Sequence, residues 1–234
     1  MTTRRFLQLD VFSPSPGAGN PLAVVLDAEG LDAAAMQAIA RWTRLPETTF
    51  VFPPQDAASS YRLRMFSPQK EVPFAGHPSI GTAHAVLEAA LAVPVDGVLV
   101  QDGIAGMLPL RVQGDGAQRR IAIRTPRASV AEVVDPADAR LASVLRGWSL
   151  GALPPARMQG GRSWWVVELT DEAALRSLQP DWDAVAALAE STDSMGVFAY
   201  ARCSGQAWDL AVRAFVGNGR RFEDAASGAA NAVL

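Results

Sequence analysis

An almost wholly apolar segment, residues 73–91, limits what this chain can fold into more than any other stretch. A polar turn containing glycine runs into a run of Ile, Ala, Val and Leu that ends at Leu91. Proline is tolerated at Pro78, in the first helical turn, because its missing N–H would have no helical partner there. A helix that is apolar on nearly all sides is buried on all sides. The sequence therefore predicts a buried central helix over residues 78–91.

The start of this helix is the place where chemistry is expected. Gly76 and His77 precede the apolar run, and neither is a typical core residue. A buried helix that begins in polar residues presents free amide N–H groups and the positive end of its dipole to whatever lies there. His84, further along the same helix, is interpreted as a buried histidine with one hydrogen-bond partner.

The end of the chain repeats the helix. Residues 227–234 (SGAANAVL) match residues 80–87 (IGTAHAVL) at five of eight positions, with Gly81 opposite Gly228. The same offset sets His77 opposite Asp224. Short Ala-rich matches are common by chance, but the order strand, helix, strand, strand, loop, buried helix also occurs twice. We interpret this as an internal duplication.

The predicted boundary between the two halves is the turn at 114–116, which gives an N-terminal half, 1–116, and a C-terminal half, 117–234. Similar halves usually face each other, and domain interfaces are common ligand sites.

The predicted elements are strands at 5–12, 22–26, 47–52 and 61–66, a helix at 31–41 capped at Asp32, a strand pair at 98–100 and 107–112, then strands at 119–124, 163–169, 195–200 and 209–215 and helices at 137–145 and 183–190.

Composition excludes several classes of protein. The net charge of −3 argues against nucleic acid or an anionic membrane as the main partner, and no apolar window is long enough to span a bilayer. The N-terminus alternates into a strand and does not resemble a signal peptide. A single cysteine, Cys203, points to a reducing, cytoplasmic compartment. With two histidines and one cysteine, no ligand spacing suggests a metal site.

Two residues of the first half are candidates for proton transfer. Glu47 opens a strand in a hydrophobic neighbourhood, and it is either an ordinary strand-end carboxylate in solvent or a general base whose pKa burial raises. His77 is either a helix cap or surface residue, or a proton shuttle, because histidine titrates near neutral pH. Asp224, before the second helix start, is either an acidic residue favoured by the helix dipole or the partner of these two across the interface.

Several stretches together resemble one family, the PhzF-like proteins of phenazine biosynthesis, which share the diaminopimelate epimerase fold. They are DVFSPSPGAGNPLAVV (10–25), ETTFVF (47–52), FSPQKEVPFAGHPSIGTAHAVL (66–87), VRAF (212–215) and EDAASGAANAVL (223–234). The resemblance implies an α+β fold of two pseudo-symmetric halves, each a curled, mostly antiparallel sheet around a central helix, with the active site between them. It also implies an isomerase without metal or organic cofactor, whose best-known activity shifts a proton on dihydro-hydroxyanthranilate.

Carried over residue by residue, the resemblance assigns the acid/base glutamate to Glu47, the Gly-His pair to Gly76 and His77, and the second-half aspartate to Asp224. The substrate-binding amides fall on Gly76, Gly228 and Ala229. The family's second-half motif has a serine where this chain has Ala229, which keeps the backbone N–H and loses a hydroxyl. Family members continue through the second central helix, so that helix is expected to be cut at Leu234. Cys203 lies on neither helix start, so a two-thiol racemase is not expected.

Two functions remain open from the sequence. The first is a cofactor-independent isomerase or epimerase that moves a proton on a small carboxylate-bearing metabolite, with Glu47 as the acid/base. The second is a small-ligand-binding member of the fold that has lost catalysis, which Ala229 favours. The family also makes a homodimer plausible. An interaction protein using Trp164 and Trp165 is a third, weaker alternative, because these tryptophans lie in a predicted core strand.

Overall fold

The computed structural model describes residues 3–13, 15–125 and 127–234. These residues form a mixed α+β fold in two compact units, Met1–Arg124 and Thr125–Leu234, and each unit contains one sheet. The turn at 114–116 joins two strands of the first sheet, so the sequence-predicted division at 116/117 lies inside the first unit.

The first unit contains eight strands and two α-helices: β1 (Phe6–Val11), β2 (Asn20–Val25), α1 (Ala33–Thr43), β3 (Glu47–Phe52), β4 (Tyr61–Phe66), β5 (Glu71–Val72), α2 (Gly76–Glu88), β6 (Val98–Gly103), β7 (Gly106–Gln113) and β8 (Arg120–Ile123), with a short 3₁₀ turn at Gly116–Gln118. The second unit contains β9 (Ser129–Val133), β10 (Ala156–Gly160), β11 (Arg162–Glu168), α3 (Glu172–Ser177), α4 (Trp182–Ser191), β12 (Gly196–Arg202), β13 (Leu210–Val216), β14 (Phe222–Glu223) and α5 (Gly228–Asn231).

The first sheet curls around α2. Its strand order is β1-β2-β3-β4-β6-β7-β8, with β5 paired to β4, and only the β2–β3 and β4–β6 pairs are parallel. Strands at both ends of this order, β1 and β8, contact α2, as do β2, β3 and β6. A flat sheet could not bring both of its ends to one helix, so the contacts require the curl.

Helix α2 is buried as its composition predicts. Its buried residues include both polar and apolar side chains, and the apolar ones join the core cluster of the first unit. Gly81 lies where the helix approaches the sheet: a Cβ there would lie 2.6 Å from Leu22 Cδ2 and 2.7 Å from Val11 Cγ2. A side chain at this position would have to displace Leu22 and Val11, so glycine favours the close helix–sheet packing. The helix begins at Gly76, two residues before Pro78, and ends at Glu88 rather than at Leu91.

The second sheet has the order β14-β13-β12-β11-β10-β9, with one parallel pair, β11–β12. Helices α3 and α4 pack on one face, where Trp165 is fully buried, and α5 packs on the other face, where Trp164 is buried beside Ala230 and Val233. Adjacent tryptophans lie on opposite faces because side chains alternate along a strand. Both are core residues, as expected.

The pairing pattern establishes the duplication. In the first unit the parallel pair is β2–β3, and the antiparallel pairs are β1–β2, β3–β4 and β4–β5. In the second unit the parallel pair is β11–β12, and the antiparallel pairs are β10–β11, β12–β13 and β13–β14. An ion pair is repeated as well. Arg64 binds Glu71 with Nε–Oε1 at 2.6 Å, and Arg213 binds Glu223 with Nε–Oε1 at 2.8 Å.

Two predicted elements differ from the structure. Residues 137–145 form successive turns and not a helix, because the carboxylates of Asp135 and Asp138 bond to the backbone N–H groups of Ala137 and Arg140 and compete with helical bonding. The strand predicted at 119–124 as the start of the second half is β8, and it pairs with β7 in the first sheet.

Candidate active site

Glu47 is held at the first residue of β3. This strand lies between β2, where Leu22 is its parallel neighbour, and β4. The next two residues, Thr48 and Thr49, are fully buried, whereas the Glu47 side chain is 19% exposed. The carboxylate therefore lies at the edge of the core, where it is partly shielded from water and still accessible.

His77 approaches Glu47 from the first turn of α2. Its Nε2 atom lies 3.4 Å from Glu47 Oε2, and its side chain is 9% exposed. The contact lacks hydrogen-bond geometry, and within the described residues Nε2 has no hydrogen-bond partner. Buried polar side-chain atoms are usually satisfied, so an unsatisfied one beside a carboxylate calls for an explanation.

The imidazole of His77 is neutral near pH 7. Burial lowers its pKa from 6.5 to about 4, and a hydrogen bond to the backbone of Pro21 acts in the opposite direction. The contact with Glu47 is therefore not a salt bridge at neutral pH. The hydrogen bond to the backbone of Pro21 holds the imidazole in place. Nε2 faces Glu47.

The loop that leads to Pro21, residues 13–21, was not predicted from the sequence to be part of the site. The Asp10 carboxylate accepts hydrogen bonds from the backbone N–H groups of Gly17 (2.6 Å), Ala18 (3.1 Å) and Gly19 (2.8 Å). The loop delivers Asn20, which is 1% exposed, and Pro21 into β2. A carboxylate at a strand end shortly before a glycine-rich loop is the sequence signal that could have identified this support.

The start of α2 has the backbone features expected of an anion site. The capping residue, Ala75, makes no side-chain hydrogen bond to the first turn. A Cβ on Gly76 would meet nothing within 4 Å, and the Gly76 backbone is not left-handed. The protein itself therefore does not require glycine at this position, and the backbone of Gly76 is open to an approaching group.

The predicted residues of the second unit lie together around the start of α5. Asp224 follows β14, and its N–H donates to the carbonyl of Ala214 at 2.9 Å. Ser227 caps α5 by accepting from the N–H of Ala230, and Gly228 and Ala229 are the first two helical residues. Ala229 is exposed.

The structural repeat pairs His77 with a different residue of the second unit than the sequence match does. Gly76 and Gly228, which begin α2 and α5, are 152 positions apart, as are Glu71 and Glu223 in β5 and β14. This offset sets His77 opposite Ala229, whereas the sequence match set it opposite Asp224. Aligning the first residues of α2 and α5 therefore gives different residue pairs from aligning the similar sequences inside the two helices.

The carboxylate of Glu47 occurs in one unit only. Thr48 pairs with Phe66 in the first sheet, and Val197 pairs with Phe215 in the second. Val197 is therefore the counterpart of Thr48, and Gly196 is the counterpart of Glu47. A Cβ at Gly196 would collide with the backbone carbonyl of Phe215. The second unit thus has no space for a side chain where the first has its acid/base candidate.

Three further observations concern metal binding, membrane-spanning helices and the single cysteine. Within the described ranges, no group of three or more His, Cys, Asp or Glu side chains is arranged to hold a metal ion. No helix among those residues is long and apolar enough to cross a membrane. Cys203 lies between β12 and β13 and is part of neither helix start, and burial and the Glu172 carboxylate raise the pKa of its thiol.

Three curated relatives cover the chain to different extents. It is 34% identical over 201 residues to antisense-enhancing sequence 1 of Schizosaccharomyces pombe, an alignment that covers 84% of this chain and 68% of that protein. It is 30% identical to the trans-2,3-dihydro-3-hydroxyanthranilate isomerase of Pseudomonas aeruginosa, and this alignment covers 98% of this chain and 78% of that protein. An uncharacterized isomerase of Mesorhizobium japonicum is 56% identical over 90 residues, which are 38% of this chain and 30% of that protein.

Solved structures share the fold. A PhzF-family phenazine biosynthesis protein of Bacillus anthracis superposes with a TM-score of 0.83 at 23% identity, and covers 99% of this chain and 78% of its own. A protein of Pseudomonas aeruginosa described as a "Predicted Epimerase" superposes with a TM-score of 0.72 at 28% identity, and the match covers 99% of this chain and 81% of that protein. A protein of Agrobacterium radiobacter described as a "probable proline racemase" has the same general fold, with a TM-score of 0.57 at 12% identity.

The model of one protein family spans nearly the whole chain. It is the PhzC-PhzF model, described as phenazine biosynthesis-like protein, and it matches residues 9–234. The relatives within this family include named isomerases and an epimerase. The chain therefore belongs to the PhzC-PhzF family of phenazine biosynthesis-like proteins, and its relatives place it among isomerases.

Proposed function

We propose that the chain carries the proton-transfer site of a cofactor-independent isomerase that acts on a small carboxylate-bearing metabolite, with Glu47 as the acid/base. The observation that supports this most is the Glu47–His77 pair, a partly shielded carboxylate 3.4 Å from a buried, unsatisfied imidazole nitrogen. Partial burial with a specific partner is typical of groups that transfer protons.

The charge states suggest how the pair works. In this proposal the neutral imidazole carries its proton on Nδ1, so Nε2 and the carboxylate oxygen are both acceptors and neither donates to the other in the resting state. A proton that Glu47 takes from a substrate carbon introduces a donor between them, and Nε2 is placed to accept its hydrogen bond. His77 would thus stabilise protonated Glu47, which then returns the proton to another carbon of the same substrate.

The lack of a carboxylate at Gly196, the counterpart of Glu47, favours an isomerisation that uses one acid/base. A two-base epimerisation needs a proton acceptor and a proton donor on opposite sides of the substrate, whereas the counterpart of Glu47 is Gly196. Asp224, on the other unit, stays a predicted catalytic partner. The amides of Gly76–His77 and of Gly228–Ala229 are predicted to bind the carboxylate of the substrate.

The test is deuterium exchange into carbon-bound hydrogens, followed by NMR. The protein is incubated in D₂O with trans-2,3-dihydro-3-hydroxyanthranilate, on which a relative is named as acting, and with a panel of small amino and hydroxy acids. Loss of a positioned acid/base typically costs ~10²–10⁴-fold in rate, so Glu47→Gln should abolish measurable exchange and keep the fold. The matched control is Glu29→Gln, an exposed glutamate of the same unit. Undiminished exchange by Glu47→Gln would refute the assignment.

Ala229 favours the alternative of a catalytically inactive small-ligand-binding protein, because the position lacks the hydroxyl that the family resemblance predicts. The same experiment separates the two functions. A binding protein shifts its melting temperature with a small carboxylate and exchanges no carbon-bound hydrogen, and Glu47→Gln then changes affinity alone.

A further inference from the structure

The loop between β1 and β2, residues 12–19, is clamped by one carboxylate. Asp10, near the end of β1, accepts three backbone N–H groups of this loop. Its Oδ2 accepts from Gly17 at 2.6 Å and from Ala18 at 3.1 Å, and its Oδ1 accepts from Gly19 at 2.8 Å. Hydrogen bonds to a carboxylate are roughly twice as strong as those between neutral groups. The Asp10 clamp therefore fixes the last three residues before β2.

Gly19 packs directly against the clamp. A Cβ at this position would lie 2.6 Å from Asp10 Oδ1 and 2.3 Å from the backbone oxygen of Val11, so any side chain would force the loop off the carboxylate. The next two residues, Asn20 and Pro21, begin β2, and Pro21 lies opposite Asp10 in the pairing of β1 with β2. The clamp thus sets where Pro21 enters the sheet.

The first residue of the clamped loop has a strained backbone. Phe12 has a φ of 65°, which is an outlier for a bulky side chain. Its ring is 45% exposed, so burial of the ring does not explain the conformation. Strain of this kind persists where surrounding contacts impose it, and it is concentrated at functional sites.

The second unit forms the corresponding strand pair with almost no loop. β1 ends at Val11 and β2 begins at Asn20, whereas β10 ends at Gly160 and β11 begins at Arg162. Gly161 alone makes that turn, with a φ of 81°. The antiparallel strand pair itself therefore does not require the long loop.

The second unit also has a different side chain at the position of the clamp. Pro21 lies opposite Asp10, and its counterpart Ser163 lies opposite Gln159, which is an amide. The carboxylate and the long loop thus occur together in the unit that contains the proposed proton-transfer pair. This coincidence favours a role for the clamp in the site over a role in the strand pair.

Pro21 connects the clamp to the imidazole. Its backbone is hydrogen-bonded to His77, and because proline has no N–H, the acceptor is its carbonyl oxygen. The hydrogen bond that one ring nitrogen makes determines the tautomer and the direction of the other nitrogen. The place of the Pro21 carbonyl therefore affects how Nε2 of His77 faces Glu47, 3.4 Å away.

We propose that Asp10 is a positioning residue for His77. Through the N–H groups of residues 17–19 it holds the Pro21 carbonyl against the imidazole, and this keeps the ring directed at Glu47. Asp10 itself does not touch the reacting atoms. Its effect on the reaction rests on the proposed isomerase function, whereas its effect on the imidazole does not.

The first test is ¹⁵N NMR of the ring nitrogens of His77 at neutral pH, assigned with a His84→Gln variant. In the parent, the nitrogen that bonds to Pro21 should hold the proton, as a single tautomer. Asp10→Ala removes the clamp, and Asp10→Asn keeps its size but replaces one accepting oxygen with a donor. In both variants the proton should redistribute between the two nitrogens, and the two ¹⁵N shifts should move towards each other.

The matched control is Asp56→Ala. Asp56 is also an exposed aspartate that clamps a loop of the first unit, the one after β3, by accepting from the N–H of Ala58 at 2.8 Å. Its loss should lower the melting temperature without moving the His77 shifts, which separates positioning from a general loss of stability. Gly19→Ala, which forces the loop off an intact Asp10, should reproduce the Asp10 shifts. Unchanged His77 shifts in Asp10 variants that circular dichroism shows to be folded would overturn the proposal.

The second test is the rate of hydrogen exchange into a substrate of the parent. Asp10→Asn should lower kcat by ~10- to 100-fold, the cost of a small misplacement at a reacting group, with little change in KM, and Asp56→Ala should change neither. A kcat equal to that of the parent, or a lower kcat with an unmoved imidazole, would contradict the positioning role. A parent that exchanges no hydrogen would refute the isomerase function instead, and the NMR test would still decide whether Asp10 holds His77.

Discussion

The buried imidazole of His77 should make the stability of the protein depend on pH in a defined window. Its pKa is about 4 in the folded protein, against 6.5 for a histidine in an unfolded chain. The difference of ~2.5 pKa units corresponds to about 3 kcal/mol of unfolding free energy, at ~1.4 kcal/mol per unit.

The sign follows from proton binding. Between pH 6.5 and about 4 the unfolded chain binds a proton at this residue and the folded chain does not, so stability rises with pH across the window. The contribution is fully present above pH 6.5 and is lost as pH falls through the window. It is largest when the site stays dry, and water that enters the site reduces it.

Urea unfolding at several pH values measures this effect. The parent should lose about 3 kcal/mol more than His77→Gln does between neutral pH and pH ~4. The chain has only two histidines, His77 and His84, so the two imidazole Cε1–H signals can be assigned with a His84→Gln variant. An imidazole signal of His77 that titrates near 6.5 would refute the burial argument, as would equal pH slopes for the parent and His77→Gln.

Two further predictions concern the packing of α2. Gly81→Ala should destabilise the protein by ~1–3 kcal/mol, the usual cost of overpacking, because its Cβ would press on Leu22 and Val11; a urea midpoint equal to that of the parent would show that the helix can move away from the sheet. Thr49 and Thr82 share a hydroxyl–hydroxyl bond of 2.8 Å in the core, and the Thr49 hydroxyl also donates to the Ala23 carbonyl at 3.2 Å. Thr82→Val removes the first bond and leaves the second, so it should cost ~0.5–1.5 kcal/mol, the usual net value of one hydrogen bond. Thr49→Val with Thr82→Val together should cost less than the sum of the two single changes, and additive costs in this double-mutant cycle would contradict the bond.

The sequence was informative where a local pattern is sufficient. The apolar run that becomes α2, the Asp32 cap of α1 and the hairpin of β6 and β7 depend on neighbours within a few positions, and the structure confirms them. It was misleading where local bonds compete with the pattern. Residues 137–145 have helical spacing, but their aspartates bond to nearby backbone groups instead.

The duplication was visible in the sequence only as a repeated order of elements and one short match. The strand registers of the structure were needed to establish which residues correspond. They show that β4–β5 and β13–β14 differ in loop length, so no single offset holds along both halves. For this reason the structural counterpart of His77 is Ala229 and not Asp224.

The sequence by itself determined the family, the α+β class, the buried helix and the identities of the chemical groups at its start. The buried helix follows from the periodicity of neighbouring residues, and the family and the α+β class follow from motifs that resemble those of one known family. The tertiary structure decided that Glu47 and His77, 30 positions apart, lie 3.4 Å from each other and that the imidazole is neutral. The pKa of a side chain is set by its solvation and by the charges around it, and both depend on which distant segments the fold brings together.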